Sequence, residues 1–338
     1  MARPTIRDVA ARAGVSLGTA SRALSGNGSV RPATREAVLQ AAKDLDYRVN
    51  SLARSLRSNH TASIGLLIPD VRNPYFSQLA HVVEQSALEH GVTTLLCNAD
   101  ERPEQMAMYV DVLRERRVDG VIVSPFADAE QALAGLDDDA IPTVFIDRRI
   151  PGSPTPSVTS DTSSALDEAI ALMSRLGHRR VGYITGPRTT STGIERIEQV
   201  AAAADHHGVE VEWQEGDFHP ESGHRAATSL LGSGMRAILA SDAQTTEGAL
   251  RAIVEQGIAL GEGLHFIGFD GTPATALIRP SLTYVRQQVQ EMAATAVDLL
   301  VRLRAGEIVT SVRLPSTLVL GGSARPAADH LTEERSCA

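Results

Sequence analysis

The sequence predicts an all-α head followed by an α/β body of two tandem lobes with parallel sheets. Residues 1–49 carry apolar side chains at spacings of three and four, the periodicity of short amphipathic helices. From residue 61 onward, short apolar runs alternate with helical stretches, as in parallel α/β domains. This alternation restarts after Asp161, so we expect two similar lobes.

Two helices joined by a tight turn are predicted between Thr5 and Leu24, where the chain reads TIRDVAARAGVSLGTASRAL. Thr5, with an acidic residue three positions later, has the features of a helix start, and Ser16 is placed to cap the second helix. A third helix, opened by Pro32, closes a small three-helix core.

The second helix directs Ala20 and Leu24 inward. Its outer face carries Leu17, Gly18, Ser21 and Arg22. Such a face can enter the major groove of DNA, where the second helix of a helix-turn-helix reads base edges and an arginine can bridge guanine O6 and N7. Taken alone, these twenty residues are equally compatible with a plain structural corner.

Charge separates the head from the body. The 338 residues carry a net charge of −9, which by itself argues against nucleic acid. Residues 1–60, however, carry +6 and the remainder −15. A basic head on an acidic body is typical of a DNA-binding unit attached to a domain that DNA does not attract.

We expect a cytoplasmic protein without a membrane segment. The longest apolar runs, such as Ile64 to Pro69, are far shorter than the roughly 20 residues of a transmembrane helix. The N-terminus has no apolar region of the kind found in secretory signals. Cys97 and Cys337 are the two cysteines, and they indicate no disulfide framework.

Residues 50–60, NSLARSLRSNH, are predicted to be a linker that could become a short helix. Leu56 is an apolar residue in a basic segment that forms no core into which its side chain could pack. It either acts as an apolar wedge in a DNA minor groove or packs on the body. The body follows over residues 61–325, and residues 326–338 are predicted to be a flexible tail.

Eight apolar runs predict the strands of the body. They read SIGLLIPD, TTLLCNAD, DGVIVSP and IPTVFID in the first lobe and RRVGYIT, VEVEWQE, RAILAS and LHFIGFD in the second. A further strand is expected between Thr310 and Leu320. Ligands of such sheets bind at the carboxyl ends of the strands, marked here by Asp70, Asp100, Asp147, Gly186, Asp242 and Asp270. The cleft between the lobes is therefore the expected ligand site.

The chain resembles the LacI/GalR family of transcriptional regulators from residue 3 to about residue 325. The motifs are TIRDVAARAGVSLGTASRAL and TREAVLQAAKDLDYRVNSLARSL in the head and linker, then IGLLIPDVRNPYF, RRVDGVIVSP, VFIDRR, LGHRRVGYITGP and IGFDGTP in the body. The resemblance implies a helix-turn-helix domain (1–49), a hinge helix (50–60) and an effector-binding and dimerisation domain of two periplasmic-binding-protein-like lobes (61–325).

For DNA, the resemblance implies base-reading positions at Leu17, Gly18 and Arg22, with Thr19 and Ser21 beside them. We also expect the capping residues Thr5 and Ser16 to be part of the DNA-binding surface. In the hinge, the matches to residues that enter the minor groove are Ala53 and Leu56, with Arg54 beside them. Gly18 is a departure, because the family often has a side chain there.

For the effector, the resemblance implies polar contacts from Asp147, Arg196 and Asp270 and aromatic contacts from Phe76 and Phe218. It extends to Asn73, Asp161, Thr192, Asp242 and Gln287. Structural roles remain as alternatives: strand-end caps for the two aspartates of the first group, core packing for Phe218 and a surface ion pair for Arg196. Sugars and purines suit such a site, because their rings have apolar faces and hydroxyl or amide edges.

We therefore expect a homodimeric, sequence-specific repressor that binds a palindromic double-stranded DNA operator under the control of a small molecule, with a sugar or sugar derivative as the leading effector class. A regulator that responds to a partner protein or to a non-sugar metabolite is the alternative. A transporter's solute-binding protein would need a signal peptide.

An enzyme on a tandem α/β scaffold is disfavoured by its missing motifs. The sequence contains no GxGxxG or GxxxxGK motif, and Gly232-Ser233-Gly234 is not the GxSxG elbow of hydrolases. His219 and His224 are not spaced as HExxH. No cofactor and no metal are expected. His206 and His207 are interpreted as a solvated helix end rather than a metal pair.

Overall fold

The computed structural model describes residues 4–25, 30–47, 60–126 and 129–325. The chain divides into two compact units, one ending at Thr61 and the other beginning at Ala62. The hinge residues of the sequence analysis, Ala53, Arg54 and Leu56, and the expected tail lie outside the described residues.

The head is a three-helix unit. Its helices are α1 (Ile6–Arg12), α2 (Leu17–Ser25) and α3 (Pro32–Asp44). The core that they share consists of small side chains, namely Val9, Ala10, Ala20, Ala23, Val38, Ala41 and Ala42. Small side chains at the contacts allow the helices to approach closely.

The starts of α1 and α2 are capped by their own side chains. The Asp8 carboxylate accepts from the backbone N–H of Thr5 at 2.7 Å and from its hydroxyl at 2.8 Å. These two bonds, the backbone one first, lower the pKa of Asp8. The Oγ of Ser16 accepts from the backbone N–H of Thr19 at 3.2 Å, which confirms Ser16 as the cap of α2. Between the helices, Gly14 holds the left-handed conformation (φ +65°) that glycine adopts without steric cost.

The first lobe of the body has a six-stranded, fully parallel sheet in the order β11-β5-β4-β3-β1-β2. Its strands are β1 (Ser63–Ile68), β2 (Thr93–Asn98), β3 (Val121–Val123), β4 (Thr143–Ile146), β5 (Ser157–Asp161) and β11 (Val312–Pro315). Its helices are α4 (Pro74–Glu89), α5 (Pro103–Glu115), α6 (Glu130–Asp138) and α11 (Val289–Arg304). Helices α4 and α11 cover one face of the sheet, and α5 and α6 cover the other.

The second lobe repeats this architecture, with strand order β12-β10-β9-β8-β6-β7. Its strands are β6 (Arg180–Thr185), β7 (Glu210–Glu215), β8 (Ala237–Ala240), β9 (His265–Phe269), β10 (Thr283–Arg286) and β12 (Thr317–Val319). Its helices are α7 (Ser163–Arg175), α8 (Ser191–His207), α9 (Pro220–Gly232) and α10 (Ala243–Glu255). Helices α7 and α8 cover one face and α9 and α10 the other. The expected pair of α/β lobes is thus confirmed.

The lobes are not simply consecutive in sequence, because the chain returns to the first lobe after β10. Helix α11 packs its apolar face into the core of the first lobe, and β11 pairs in parallel with β5. The single strand expected between Thr310 and Leu320 is in fact two strands in different sheets. Strand β12 pairs with β10, and this pair is antiparallel. The break falls at Ser316, whose N–H donates to the carbonyl of Asp161 at 2.8 Å.

Cys97 is buried in β2 and is a free thiol, and burial raises its pKa to about 11. A thiol held protonated in this way is unreactive at neutral pH. None of the helices in the described part of the chain combines the length and apolarity that a membrane crossing requires.

Candidate effector site and DNA-facing surface

A cavity of about 320 Å³, including its open mouth, lies between the carboxyl ends of the two sheets. Both lobes contribute to its lining, which consists of Asn73, Tyr75, Phe76, Asp147, Arg148, Thr192, Arg196, Phe218, Asp242, Ala243, Asp270 and Gln287. The structure therefore brings together nine of the ten effector residues of the sequence analysis.

Asp161 is the residue that the structure places elsewhere. Its carboxylate accepts from the hydroxyl of Ser163 at 2.7 Å and from the backbone N–H of the same residue at 3.1 Å. These bonds, the hydroxyl one first, lower the pKa of Asp161. The carboxylate thus closes the turn from β5 into α7 instead of lining the cavity.

A chain of hydrogen bonds runs through the second-lobe side of the cavity. The Arg196 guanidinium donates to the carbonyl of Ser241 at 2.8 Å and to Oε1 of Gln287 at 3.2 Å. Gln287 in turn donates from Nε2 to the Asp270 carboxylate at 2.8 Å. The guanidinium also lies over the ring of Phe269, 4.1 Å from its centroid. These contacts hold the Arg196 side chain in place. The residue is 5% exposed, so the alternative of a surface ion pair does not apply.

Two of the strand-end aspartates of the cavity, Asp147 and Asp270, have raised pKa values. Burial raises the pKa of Asp270 to about 6, although its hydrogen bonds from Gln287 oppose the shift. Burial also raises the pKa of Asp147, against the attraction of Arg148 and Arg196. Carboxylates that are desolvated and face a cavity are typical of ligand and catalytic sites.

Sequence analysis missed Arg148, which is 2% exposed. Its guanidinium donates two hydrogen bonds to Glu101, at 2.7 and 3.0 Å, while its Nε has no partner among the described residues. The Nε lies 3.9 Å from the carboxylate of Asp147, beyond hydrogen-bond distance, and the guanidinium lies 5.2 Å from the ring centroid of Phe218. A buried N–H that lacks a hydrogen bond costs free energy, so a ligand acceptor there would be favoured. The VFIDRR motif could have identified Arg148 from the sequence, because Arg148 directly follows Asp147 in it.

Phe76 and Phe218 form aromatic walls from opposite lobes, and both are buried. The position of the Phe218 ring depends on Gly186, because a Cβ built there would lie 2.6 Å from Cζ of the ring. Three cavity residues that are not glycine, Asp147, Phe218 and Asp270, have φ values of +64°, +62° and +50°. Left-handed backbone at such residues is costly and clusters at functional sites.

Three further cavity residues lie at the starts of helices. Asn73 caps α4, with Oδ1 accepting from the N–H of Tyr75 at 3.0 Å, and Thr192 lies in the first turn of α8. Asp242 caps α10 and accepts from the N–H groups of Gln244 and Thr245 at 2.8 and 3.0 Å. Asp242 therefore caps a helix, and it lines the cavity as well. Tyr75 and Ala243, which sequence analysis also missed, are neighbours of residues that it identified.

The proposed DNA-facing surface of the head is exposed. Leu17 is 46% exposed, Gly18 and Arg22 are exposed, and Thr19 and Ser21 are partly buried. A Cβ at Gly18 would approach no atom more closely than Oγ of Ser16, at 4.0 Å, so packing does not require glycine at this position. The inward positions of α2 are Ala20 and Ala23, which are buried, with Leu24 partly buried.

Known protein families match residues in both units of the chain. Residues 5–50 match the family model described as bacterial regulatory proteins, lacI family, and residues 170–324 match that of a periplasmic binding protein-like domain. The ribose operon repressor of Halalkalibacterium halodurans is 34% identical over 304 residues, 88% of this chain and 89% of the relative. The transcriptional repressor PurR of Edwardsiella ictaluri is 35% identical over 306 residues, again 88% and 89%.

Among solved structures, the lac repressor dimer bound to operator and the anti-inducer ONPF is similar, with a TM-score of 0.85 and 26% identity. The similarity covers 96% of this chain and all of that one.

Proposed function

The chain belongs to the LacI family of bacterial regulatory proteins, and on that premise we propose a homodimeric transcriptional repressor whose operator binding is controlled by a monosaccharide held between its two lobes. The family is one of DNA-binding repressors rather than enzymes. The observation that carries the choice of effector is the cavity, which combines two aromatic walls with a dense set of charged hydrogen-bonding groups.

The head supports a role in reading DNA. Its α2 is capped at Ser16 and presents Leu17, Gly18 and Arg22 outward. A helix in this position reads base edges with its early residues, and a dimer reads two half-sites of a palindrome. Because the target is operator DNA, we place the protein in the cytoplasm. Further DNA contacts are proposed for the hinge residues and for three residues of the head: Ala53, Arg54, Leu56, Thr5, Thr19 and Ser21.

The chemistry of the cavity lining favours a monosaccharide. Each sugar hydroxyl both donates and accepts a hydrogen bond. Asp147 and Asp270 supply acceptors, and the guanidiniums of Arg148 and Arg196 supply donors. The faces of Phe76 and Phe218 suit the apolar faces of a sugar ring.

A purine base is the second candidate effector, because PurR is among the similar proteins. The similarity to a ribose operon repressor points to a sugar of pentose size instead. A flat, neutral base would leave several of the charged groups in the cavity without a partner, at a cost in free energy. The structure of the cavity thus favours the sugar.

Control of DNA binding follows from the position of the cavity. Asp147 and Arg148 come from the first lobe, whereas Arg196, Phe218 and Asp270 come from the second. A ligand that touches both sets stabilises one relative arrangement of the lobes. If that arrangement differs in its affinity for the operator, the two binding events are coupled, typically by about 1–3 kcal/mol.

The test begins with selection of bound sequences from a random DNA pool. The selected operator is then titrated by fluorescence anisotropy with wild type, with Arg22→Ala, with Arg196→Ala and with a control, Arg225→Ala, an exposed residue of α9. We expect a palindrome, a large loss of affinity in Arg22→Ala, and no change in the control.

Effector candidates are then added to the operator complex: D-ribose, D-xylose, D-glucose, adenine and guanine. We expect a sugar to shift operator affinity in wild type and in Arg225→Ala but not in Arg196→Ala. A response to a purine alone would overturn the sugar assignment. A response to the true effector that survives both Arg196→Ala and Asp270→Ala would overturn the cavity as its site.

A further inference from the structure

A second group of ligand-type side chains lies on the surface of the second lobe, away from the effector cavity. His206 and His207 end α8, and Asp167 lies on the neighbouring helix α7. The ligand atoms of these three side chains all lie within 4.8 Å of one another. Within the described residues this is the one such cluster of three, and it plays no part in the proposed regulatory function.

Both imidazoles approach the same carboxylate oxygen. Nε2 of His207 lies 3.0 Å from Oδ1 of Asp167, and Nδ1 of His206 lies 3.4 Å from it. The two rings are stacked, with centroids 4.4 Å apart and planes inclined by 26°. The sequence analysis interpreted these histidines as a solvated helix end, and the structure adds that both lie beside one carboxylate of the neighbouring helix.

The two nitrogen–oxygen distances are close to those within the shell of a transition-metal ion. Tetrahedral Zn²⁺ binds imidazole nitrogen and carboxylate oxygen at about 2.0–2.2 Å, which places its ligand atoms roughly 3.3–3.5 Å apart. The two nitrogen–oxygen distances are 3.0 and 3.4 Å, so an ion could enter with small side-chain rotations. Imidazole and carboxylate together favour zinc and its neighbours over magnesium or calcium.

The surroundings also favour a cation. The cluster lies at the C-terminal end of a 17-residue helix, where the helix dipole is negative, and Asp205 precedes the two histidines. The side chain of His206 is 73% exposed, that of Asp167 43% and that of His207 22%, so an ion and its remaining water ligands have room. Three protein ligands and an open position describe an exchangeable site rather than a closed structural one.

We infer that Asp167, His206 and His207 form a surface binding site for a divalent transition-metal ion such as Zn²⁺. The ion links α7 to the end of α8. The opposite end of α8 carries Thr192 and Arg196, which line the effector cavity. The metal site itself does not rest on the proposed repressor function.

The experiment is a Zn²⁺ titration of the full chain, without an affinity tag, in competition with a chromophoric chelator. A Cys337→Ser background removes the thiol that lies outside the described residues. The variants are His207→Gln and Asp167→Asn. The matched control is His224→Gln, which removes a histidine paired with a single carboxylate, that of Glu255 at 2.7 Å.

We expect one Zn²⁺ per chain, with affinity at least about tenfold weaker in each site variant and unchanged in the control. Zn²⁺ should also raise the Tm of the parent chain and not that of the variants, because an ion that binds the folded state stabilises it. Equal affinity in the parent and in Asp167→Asn, a change that keeps both helices intact, would overturn the inference. So would loss of binding in His224→Gln.

Discussion

The guanidinium of Arg149 donates to the carboxylate of Glu195 at 2.7 Å, and this ion pair joins the two lobes of the body. Arg149 follows β4 of the first lobe, whereas Glu195 lies on α8 of the second. The other oxygen of the same carboxylate accepts from Arg313 of β11, at 3.0 Å. The backbone N–H of Arg149 also donates to the hydroxyl of Ser191 at 3.0 Å. Glu195 is therefore held by two arginines of the facing lobe beside the effector cavity.

Removing the charge of Glu195 should weaken effector binding, although Glu195 does not line the cavity. Each partly exposed ion pair contributes about 0.2–1 kcal/mol, so the loss of both pairs in Glu195→Gln should lower effector affinity about two- to thirtyfold by destabilising the observed arrangement of the lobes. Calorimetric titration of the effector measures this change.

The control for Glu195→Gln is Glu212→Gln, which removes the partner of Arg180 at 2.8 Å within a single sheet. Its effector affinity should stay at the wild-type value. Equal losses in the two variants would show that the ion pairs between the lobes have no specific effect on binding.

Effector affinity should fall as the solution becomes acidic. Asp270 has a pKa of about 6 and accepts hydrogen bonds as a carboxylate, so protonation removes an acceptor from the cavity. Between pH 7.5 and pH 5 the affinity should drop about tenfold or more, with Asp147 acting in the same direction. Asp270→Asn should bind more weakly at pH 7.5 and show a flatter profile. A wild-type profile that is flat over this range would contradict the assignment.

The stability of the ligand-free body should depend on pH in the opposite sense. The folded pKa of Asp270 lies above the unfolded value of 3.8, so the folded state retains a proton that the unfolded state releases. The stabilisation is fully present below pH 3.8 and is lost as the pH rises through about 6. Because the side chain is partly exposed to the cleft, the change should be smaller than the roughly 3 kcal/mol that two pKa units represent. Urea unfolding of wild type and Asp270→Asn at pH 5 and pH 7.5 measures the difference.

Gly186→Ala should impair the effector site through Phe218. The added methyl group would meet the ring at Cζ, 2.6 Å away, and push the aromatic wall into the cavity. We expect effector affinity at least about fivefold lower, since overpacking of this kind typically costs about 1–3 kcal/mol. Gly232→Ala is the matched control, because a Cβ there meets no atom within 4 Å. An unchanged affinity in Gly186→Ala would mean that Phe218 does not contact the effector.

Two glycines of the head should respond oppositely to alanine. Gly18 is helical and its Cβ would point into open space, so Gly18→Ala should stabilise α2 by roughly 0.5–1 kcal/mol. Gly14 has φ +65°, so Gly14→Ala should destabilise the head by about 1–2 kcal/mol. Hydrogen exchange of the α1 and α2 amides in the full chain measures both effects.

Gly18→Ala has a second expected consequence, in DNA recognition. Its methyl group lies on the face that we propose enters the major groove, where apolar groups contact the thymine methyl. Repeating the operator selection with this variant should change the preferred base at one position of each half-site. The same selected sequence as for wild type would place Gly18 away from the bases.

Local pattern was sufficient to predict the elements and the strand-end aspartates of the cavity, whereas the other cavity residues were predicted from the family resemblance. Helices in α1 to α3 follow from apolar spacing and from the caps at Thr5 and Ser16, because a helix contacts its own neighbours in sequence. Asp147 and Asp270 were found because strands of a parallel sheet all place their carboxyl ends at one edge. Local pattern does not predict which helices and strands pack or pair with one another.

Periodicity and strand ends are local properties, so the order of the amino acids was enough to predict a basic three-helix head, two α/β lobes and the strand ends that line the cavity. Long-range packing, in contrast, returns α11 and β11 to the first lobe, makes Asp161 close a turn and brings Arg148 into the cavity. It also decided that Glu195 meets Arg149 and that Asp167 meets two histidines. These contacts join residues about 40 or more positions apart, except at Asp161, and depend on how the packed cores orient whole helices and sheets.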